Sequence, residues 1–292
     1  MRVTIVARPF VGMRFHHGEG PVYDPLTEEL LWVDILGGLV VVGWPWPTLD
    51  DLRTYEVDDV VSAVVPRRDP VHGWVVASRH GFSALDRSGA VAAIAEPERS
   101  VDRRADRMND GKCDPYGGFW AGSMGPEGAA SLYRLAPDGT SHRALSGVTT
   151  SNGLAWRDPE HVYYIDTPTR RVDLLTVTPD GTVTDRSPAF TVPAELGFPD
   201  GMTIDTDGRL WIALWGGAAV ACFTPDGTVV TTVSVDAAQV SSCTFAGPDL
   251  ATLVITTSQE GYSPGRSAAE TWAGSLFVAD VGARGLPPHR FG

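Results

Sequence analysis

A strand-like tetrapeptide with a large central residue recurs along the whole chain. It reads Leu31-Trp32-Val33-Asp34, Gly73-Trp74-Val75-Val76, Phe119-Trp120-Ala121-Gly122, Val162-Tyr163-Tyr164-Ile165, Leu210-Trp211-Ile212-Ala213 and Thr252-Leu253-Val254-Ile255. The central residues fall at 32, 74, 120, 163, 211 and 253, so the spacing holds at 42 to 48 residues. After several copies comes a second apolar run and then a turn: Ser131-Leu132-Tyr133-Arg134-Leu135 precedes Pro137-Asp138-Gly139, and Val172–Val177 precedes Pro179-Asp180-Gly181. A period in the forties with about four short strands per unit is the sequence signature of a β-propeller. The apolar runs are short, rich in Val, Leu, Trp and Thr and punctuated by Gly, Pro and Asp, with no competing helical period. A β-sandwich would also give short strands, but nothing in it demands one aromatic position at near-constant spacing. The expectation is an all-β fold, a six-bladed β-propeller with four-stranded blades around a central channel. It would be a single domain over residues 1–292, with the six units filling the chain.

The tripeptide Pro-Asp-Gly occurs four times, and three copies run into Thr after a strand-like run, as a hairpin turn requires. The fourth, Pro199-Asp200-Gly201, runs instead into Met202-Thr203-Ile204. Counting back 11 residues from the repeated central position reaches Asp200, Asn152, Asn109 and Ser242; Ser62 lies 12 back and Glu19 lies 13 back. Glu19-Gly20-Pro21-Val22, Asn152-Gly153-Leu154-Ala155 and Asp200-Gly201-Met202-Thr203 share the form polar-Gly-x-apolar. In a propeller the first strand of each blade lines the channel, so these heads should converge on one axis. Glu19 or Asn152 alone would read as a turn residue. Equivalent placement in separate repeats makes them ligand candidates. Two carboxylates and an amide buried face to face are costly unless compensated, and a bound cation compensates them. Glu19, Asn152 and Asp200 are therefore the expected ligands of one divalent metal ion. Their all-oxygen chemistry suits Ca²⁺, Mg²⁺ or Mn²⁺, with Zn²⁺ an option. Three protein ligands leave positions open for water or substrate, as in a catalytic site.

Charge and composition narrow the alternatives. With 23 Lys+Arg against 36 Asp+Glu the formal charge is −13, which argues against nucleic-acid binding. Three cysteines without a CxxC pair suggest a reducing, cytoplasmic setting. The N-terminal MRVTIVARPF lacks the apolar stretch of a signal peptide, and no run is long enough to cross a bilayer. A soluble protein with no membrane partner is expected, a monomer or weak homo-oligomer. No HExxH motif occurs, and Gly216-Gly217 reads as a turn. His16-His17 and Trp44-Pro45-Trp46-Pro47 read as surface loops. Of the charged run Arg99–Arg107, most reads as a solvated loop; only Arg107, two residues before Asn109, lies near the expected rim.

At these residues the sequence resembles the SMP-30/gluconolactonase/luciferin-regenerating-enzyme, or regucalcin-like, family. The resemblance runs through Gly18-Glu19-Gly20-Pro21 with Asp24, and through Arg107-Met108-Asn109-Asp110-Gly111-Lys112 with Asp114-Pro115. It continues through Ser151-Asn152-Gly153-Leu154-Ala155-Trp156, Pro199-Asp200-Gly201-Met202, Phe245-Ala246-Gly247 and the terminal Gly285-Leu286-Pro287. It implies a six-bladed propeller with one divalent ion in the channel, acting on sugar lactones. It implies Glu19, Asn152 and Asp200 as metal ligands, Asp200 also as general base, and Arg107 and Asn109 as substrate-binding residues. The implied reaction opens an aldonolactone, such as a glucono-, xylono- or arabinonolactone, to the aldonic acid. Tyr23 stands where many members have Trp, and Phe245-Ala246-Gly247 where Phe-Gly-Gly is usual. Some members place an acidic substrate contact after the segment matching Met124; Glu127 is the candidate here. Two other readings use the same residues: a phosphotriesterase or esterase on the same metal, and a non-enzymatic Ca²⁺-binding propeller.

Overall fold

The computed structural model describes residues 3–44, 46–99 and 106–292. Each repeat becomes an antiparallel sheet. Blade 1 runs Gly18–Asp24, Glu29–Asp34, Leu39–Trp44 and Asp51–Glu56. Blade 2 begins at Val61–Pro66, blade 3 at Arg107–Cys113 and blade 4 at Ser151–Asp158, each a four-stranded sheet in chain order. Blade 5 begins at Phe198–Ile204 and ends at Val229–Ser234. Blade 6 takes Gln239–Ala246, Thr252–Ser258 and Leu276–Asp280 from the C-terminal end of the chain. Its fourth strand is Arg8–Val11, antiparallel to Leu276–Asp280. The first strands of the blades pack side by side in a closed ring, the last returning against Gly18–Asp24. This arrangement fits the expected six-bladed propeller.

The units do not simply fill the chain in order, as the repeat count suggested. The sixth blade is completed by the N-terminal strand, and Val3–Val6 adds a further parallel strand to the outer edge of blade 5. Closing the ring with chain from both ends leaves the channel-lining sheets without a free seam. Among the described residues the sole α-helix is the short Pro264–Ala269, and no helix is long and apolar enough to cross a membrane.

The repeated large residues occupy the second strand of each blade and are buried, from Trp32 at 0% to Tyr163 at 3% exposed. They join neighbouring blades: the Trp120 ring lies 5.7 Å from Trp156 of blade 4, and Trp211 lies 5.8 Å from Phe245 of blade 6. A buried indole N–H needs an acceptor. Asp114 and Asp205, placed just after the first strands, supply it at 2.8 and 2.9 Å. Each carboxylate is balanced by a guanidinium, Arg134 at 2.6 Å and Arg209 at 2.8 Å. The three Pro-Asp-Gly-Thr copies are turns, with Gly139, Gly181 and Gly227 all at φ +87°. Gly201 is not in that region, and Asp200 lies inside a strand. The Trp44–Pro47 loop departs from its reading as exposed. Trp44 is exposed, but Trp46 packs 5.4 Å from Phe10 and 5.9 Å from Tyr23; Pro45 lies outside the described residues.

Deleting residues 1–11 should lower stability by at least about 3 kcal/mol, the worth of uncovering one or two large apolar side chains. Urea unfolding checks this; an unchanged midpoint would mean that blade 6 is stable with three strands.

Candidate active site

All six polar heads lie near the start of a first strand, and all are buried: Glu19, Ser62, Asn109, Asn152, Asp200 and Ser242. Each first strand also breaks register there, for example between Glu19 and Val22, Ser151 and Leu154, and Pro199 and Met202. A bulge re-aims the side chain it carries. The glycine after each of Asn152 and Asp200 is a matter of space. A Cβ on Gly153 would lie 2.7 Å from the Asp200 carbonyl oxygen, and one on Gly201 would lie 2.1 Å from Ser242 Oγ. Adjacent blades thus approach one another at the level of the heads with no room for a side chain between them.

Lead-in segments are fixed by carboxylates at the ends of second strands. Asp34 accepts the backbone N–H groups of His16 and His17, both at 2.9 Å, just ahead of Glu19. Asp166 accepts the Thr150 N–H at 2.9 Å, just ahead of Asn152. The Asn152 amide donates to Thr167 Oγ1 at 3.0 Å, which donates to the Pro199 carbonyl at 2.9 Å, linking the blade 4 head to that of blade 5. Arg107 donates through Nη1 to Asn109 Oδ1 at 2.6 Å and to the Met108 carbonyl at 3.0 Å. Asn109 in turn donates to the Ser151 carbonyl at 2.8 Å. Its amide therefore steadies the guanidinium, with one N–H left for another partner.

Acidic groups crowd the channel, and burial makes their ionisation costly. Burial holds the Glu19 carboxyl well above its usual range, and the nearby Asp110 and Asp200 add to the effect; the Gly20 N–H and Arg107 oppose it. Asp200 is also held well above its range by burial and Asp110, against the Asn152 amide and Arg107. Asp110 is raised by burial, with Lys112 opposing. Burial lowers the Arg107 and Lys112 pKa values, while the surrounding carboxylates support their charge. Lys112 donates to the Met202 carbonyl at 2.8 Å. The Cys243 thiol is pushed up to about 12 by burial, so it is no thiolate nucleophile. Beyond the heads, a cavity of about 90 Å³ lies toward the far end of the first strands, lined by Lys112, Cys243 and the C-terminal Leu286–His289 stretch.

Residues 17–259 match the SMP-30/Gluconolactonase/LRE-like region. The chain belongs to this family. YvrE of Bacillus subtilis (strain 168), which carries a sugar lactone lactonase name, is 36% identical over 282 residues covering 94% of each chain. Regucalcin of Danio rerio is 34% identical over 285 residues, again 94% of each. Among solved structures, a regucalcin of Agrobacterium tumefaciens str. C58, described as a calcium-binding protein, matches with a TM-score of 0.91 at 24% identity. It covers 100% of this chain and 99% of that one, a likeness of fold.

In this member of the SMP-30 family, Glu19, Asn152, Asp200, Arg107 and Asn109 are brought together. Glu127 sits exposed in the turn after Phe119–Met124, the strand whose Met124 pairs with Arg107. The expectation of a surface loop at His16-His17 holds for His16 alone. His17 is 6% exposed, its ring 5.4 Å from that of Trp215. The Asp34 bonds and the blade 5 tryptophan draw it inward. Arg107 is buried in a strand, and residues 100–105 of its charged run lie outside the described residues. Sequence reasoning misses Asp110 and Lys112, which stand within the Asn109 motif, and Glu260, whose only local signal is its place after a second strand.

The oxygen donors Glu19, Asp200 and Asn152 fit a hard divalent ion. Burial raises the proton affinity of both carboxyls, so a cation would compete with protons there. Among the described residues no three His, Cys, Asp or Glu side chains form a ready metal cage; the third donor beside Glu19 and Asp200 would be the Asn152 amide oxygen. A carboxyl raised in the native state keeps a proton that the unfolded chain has lost. Its contribution to stability therefore falls as pH rises from the unfolded value near 3.8 toward the native one. In chelator-treated protein, Asp200→Asn should be more stable than wild type at neutral pH, with the gap closing toward about pH 4. Adding a divalent ion should reverse the order. Thermal unfolding across pH checks this; an Asn variant less stable than metal-free wild type at pH 7 would contradict it.

Proposed function

We propose that this chain is a sugar lactonase. It opens an aldonolactone, such as a glucono-, xylono- or arabinonolactone, to the aldonic acid with one divalent ion held by Glu19, Asn152 and Asp200. The supporting observation is the convergence of these three side chains beside the buried Arg107, in a chain 36% identical to a protein with a sugar lactone lactonase name.

Water adds to the lactone carbonyl carbon, and the bond from that carbon to the ring oxygen then breaks. The bound ion would supply Lewis-acid polarisation of the carbonyl group. Asp200 takes the proton from the attacking water and returns it to the departing ring oxygen, which leaves as a hydroxyl. The new carboxylic acid ionises and releases one proton to solvent. With the ion in place, Asp200 would be held ionised and so able to accept that proton at neutral pH. Arg107, fixed by Asn109, faces the same space and stabilises negative charge developing on the carbonyl oxygen or orients sugar oxygens. Burial in the channel strengthens both effects by limiting solvent screening.

Asp200→Ala should lose at least about 100-fold in kcat, the usual worth of a positioned acid–base group. Arg107→Ala should act chiefly on KM. Both are measured by acid release on glucono-, xylono- and arabinonolactone. Full activity of the Asp200 variant would overturn the assignment of the base. Ion binding with no turnover of any lactone or ester would favour the non-enzymatic reading.

A further inference from the structure

At the head end of the channel, two segments far apart in sequence are laced together. Ser258, the last residue of its strand, forms a bridge with His17. Gln259 donates its backbone N–H to the His16 carbonyl at 3.0 Å and its side-chain amide to the Phe15 carbonyl at 2.9 Å. The Glu260 N–H donates to Ser258 Oγ at 2.9 Å. The Glu260 side chain therefore stands on a braced backbone. His17 Nδ1 lies 3.0 Å from Glu260 Oε2. The two members differ in access to solvent. The His17 side chain is 7% exposed and the Glu260 side chain 40%.

Glu260 also belongs electrostatically to the site. It is the foremost carboxylate supporting the buried Arg107 cation, ahead of Glu19 and Asp200, and its charge reaches Asp200 as well. Glu19, Asp200, Asn109 and Asn152 are buried, and the last two have their amides engaged with Arg107, Ser151 and Thr167. Glu260 combines full charge, a fixed mount and open access beside them. Carboxylates are acceptor-only groups that bind hydroxyl donors at both oxygens. A neutral polyhydroxylated ring with its carbonyl toward Asp200 and Arg107 would turn hydroxyls toward such an acceptor. A bare lactone has none to offer.

We propose that Glu260, positioned by His17 and braced by the Ser258–Gln259 backbone, accepts hydroxyl groups of the substrate and so selects sugar lactones over unsubstituted ones. The assignment rests on the lactonase reading and names the residue that makes the substrate a sugar. Losing a hydrogen bond to a charged acceptor corresponds to about 10- to 100-fold in kcat/KM.

The test compares wild type, Glu260→Gln, Glu260→Ala, His17→Gln and His17→Ala on a turned-over sugar lactone and on δ-valerolactone. Where δ-valerolactone is not opened, its competitive inhibition constant takes the place of turnover. Glu260→Ala should lower the preference for the sugar lactone about 10- to 100-fold, mainly through KM, with Glu260→Gln retaining part of it. His17→Ala should lose preference in the same sense, and His17→Gln, which keeps a donor toward the carboxylate, should retain more of it. Equal losses on both lactones would reduce the pair to a structural role and overturn the assignment, as would an unchanged preference in Glu260→Ala. A wild type that opens no lactone overturns the lactonase reading and this assignment with it, whereas an active wild type with unaltered variants overturns only the assignment.

Discussion

Neighbouring blades approach so closely around the axis that only a hydrogen atom fits between some of them. Gly153 faces the Asp200 carbonyl and Gly201 faces Ser242 at distances no Cβ could occupy. That closeness packs the polar heads into one buried space, where register breaks in the first strands turn them inward. The rest of the molecule serves this convergence. Second-strand aromatics set the blades against one another, and buried aspartates orient the indoles. The N-terminal strand closes the ring.

Convergence creates an electrostatic problem whose resolution is the chemistry. Three carboxyl groups, Glu19, Asp110 and Asp200, share the channel with Arg107 and Lys112, and burial makes ionisation of each carboxyl costly. Arg107 and Lys112 meet part of that cost. A divalent ion on Glu19, Asn152 and Asp200 would meet the remainder, and so tie proton affinity, ion binding and stability into one property. On the proposed reading, the same unbalanced field would draw the ion and the base into one small volume.

Much of this was legible in the sequence because it depends on local order. The Trp32, Trp74, Trp120 and Trp211 positions mark second strands by their spacing, and the head residues sit at a near-fixed distance before them. Gly201 is distinguished from its three turn-forming counterparts by the Met202-Thr203-Ile204 run that comes after it, where each of the others leads into Thr. The parts that escaped depend on contacts between distant segments. Nothing near Arg8–Val11 says that it pairs with Leu276–Asp280. His17 looks like a loop residue in sequence because its burial comes from Trp215 and the carboxylate beside its Nδ1 is Glu260. Glu127 is suggested as an acidic contact by the family resemblance alone, whereas Glu260 of blade 6, placed beside His17, carries no such signal.

The most direct test of the account is acid release from a panel of γ- and δ-sugar lactones by chelator-stripped protein, before and after adding Mg²⁺, Mn²⁺, Ca²⁺ or Zn²⁺. The account predicts negligible turnover in the stripped protein and restoration on at least one lactone by at least one of these ions. Full turnover in the stripped protein, or none above the spontaneous rate with any ion, would contradict it.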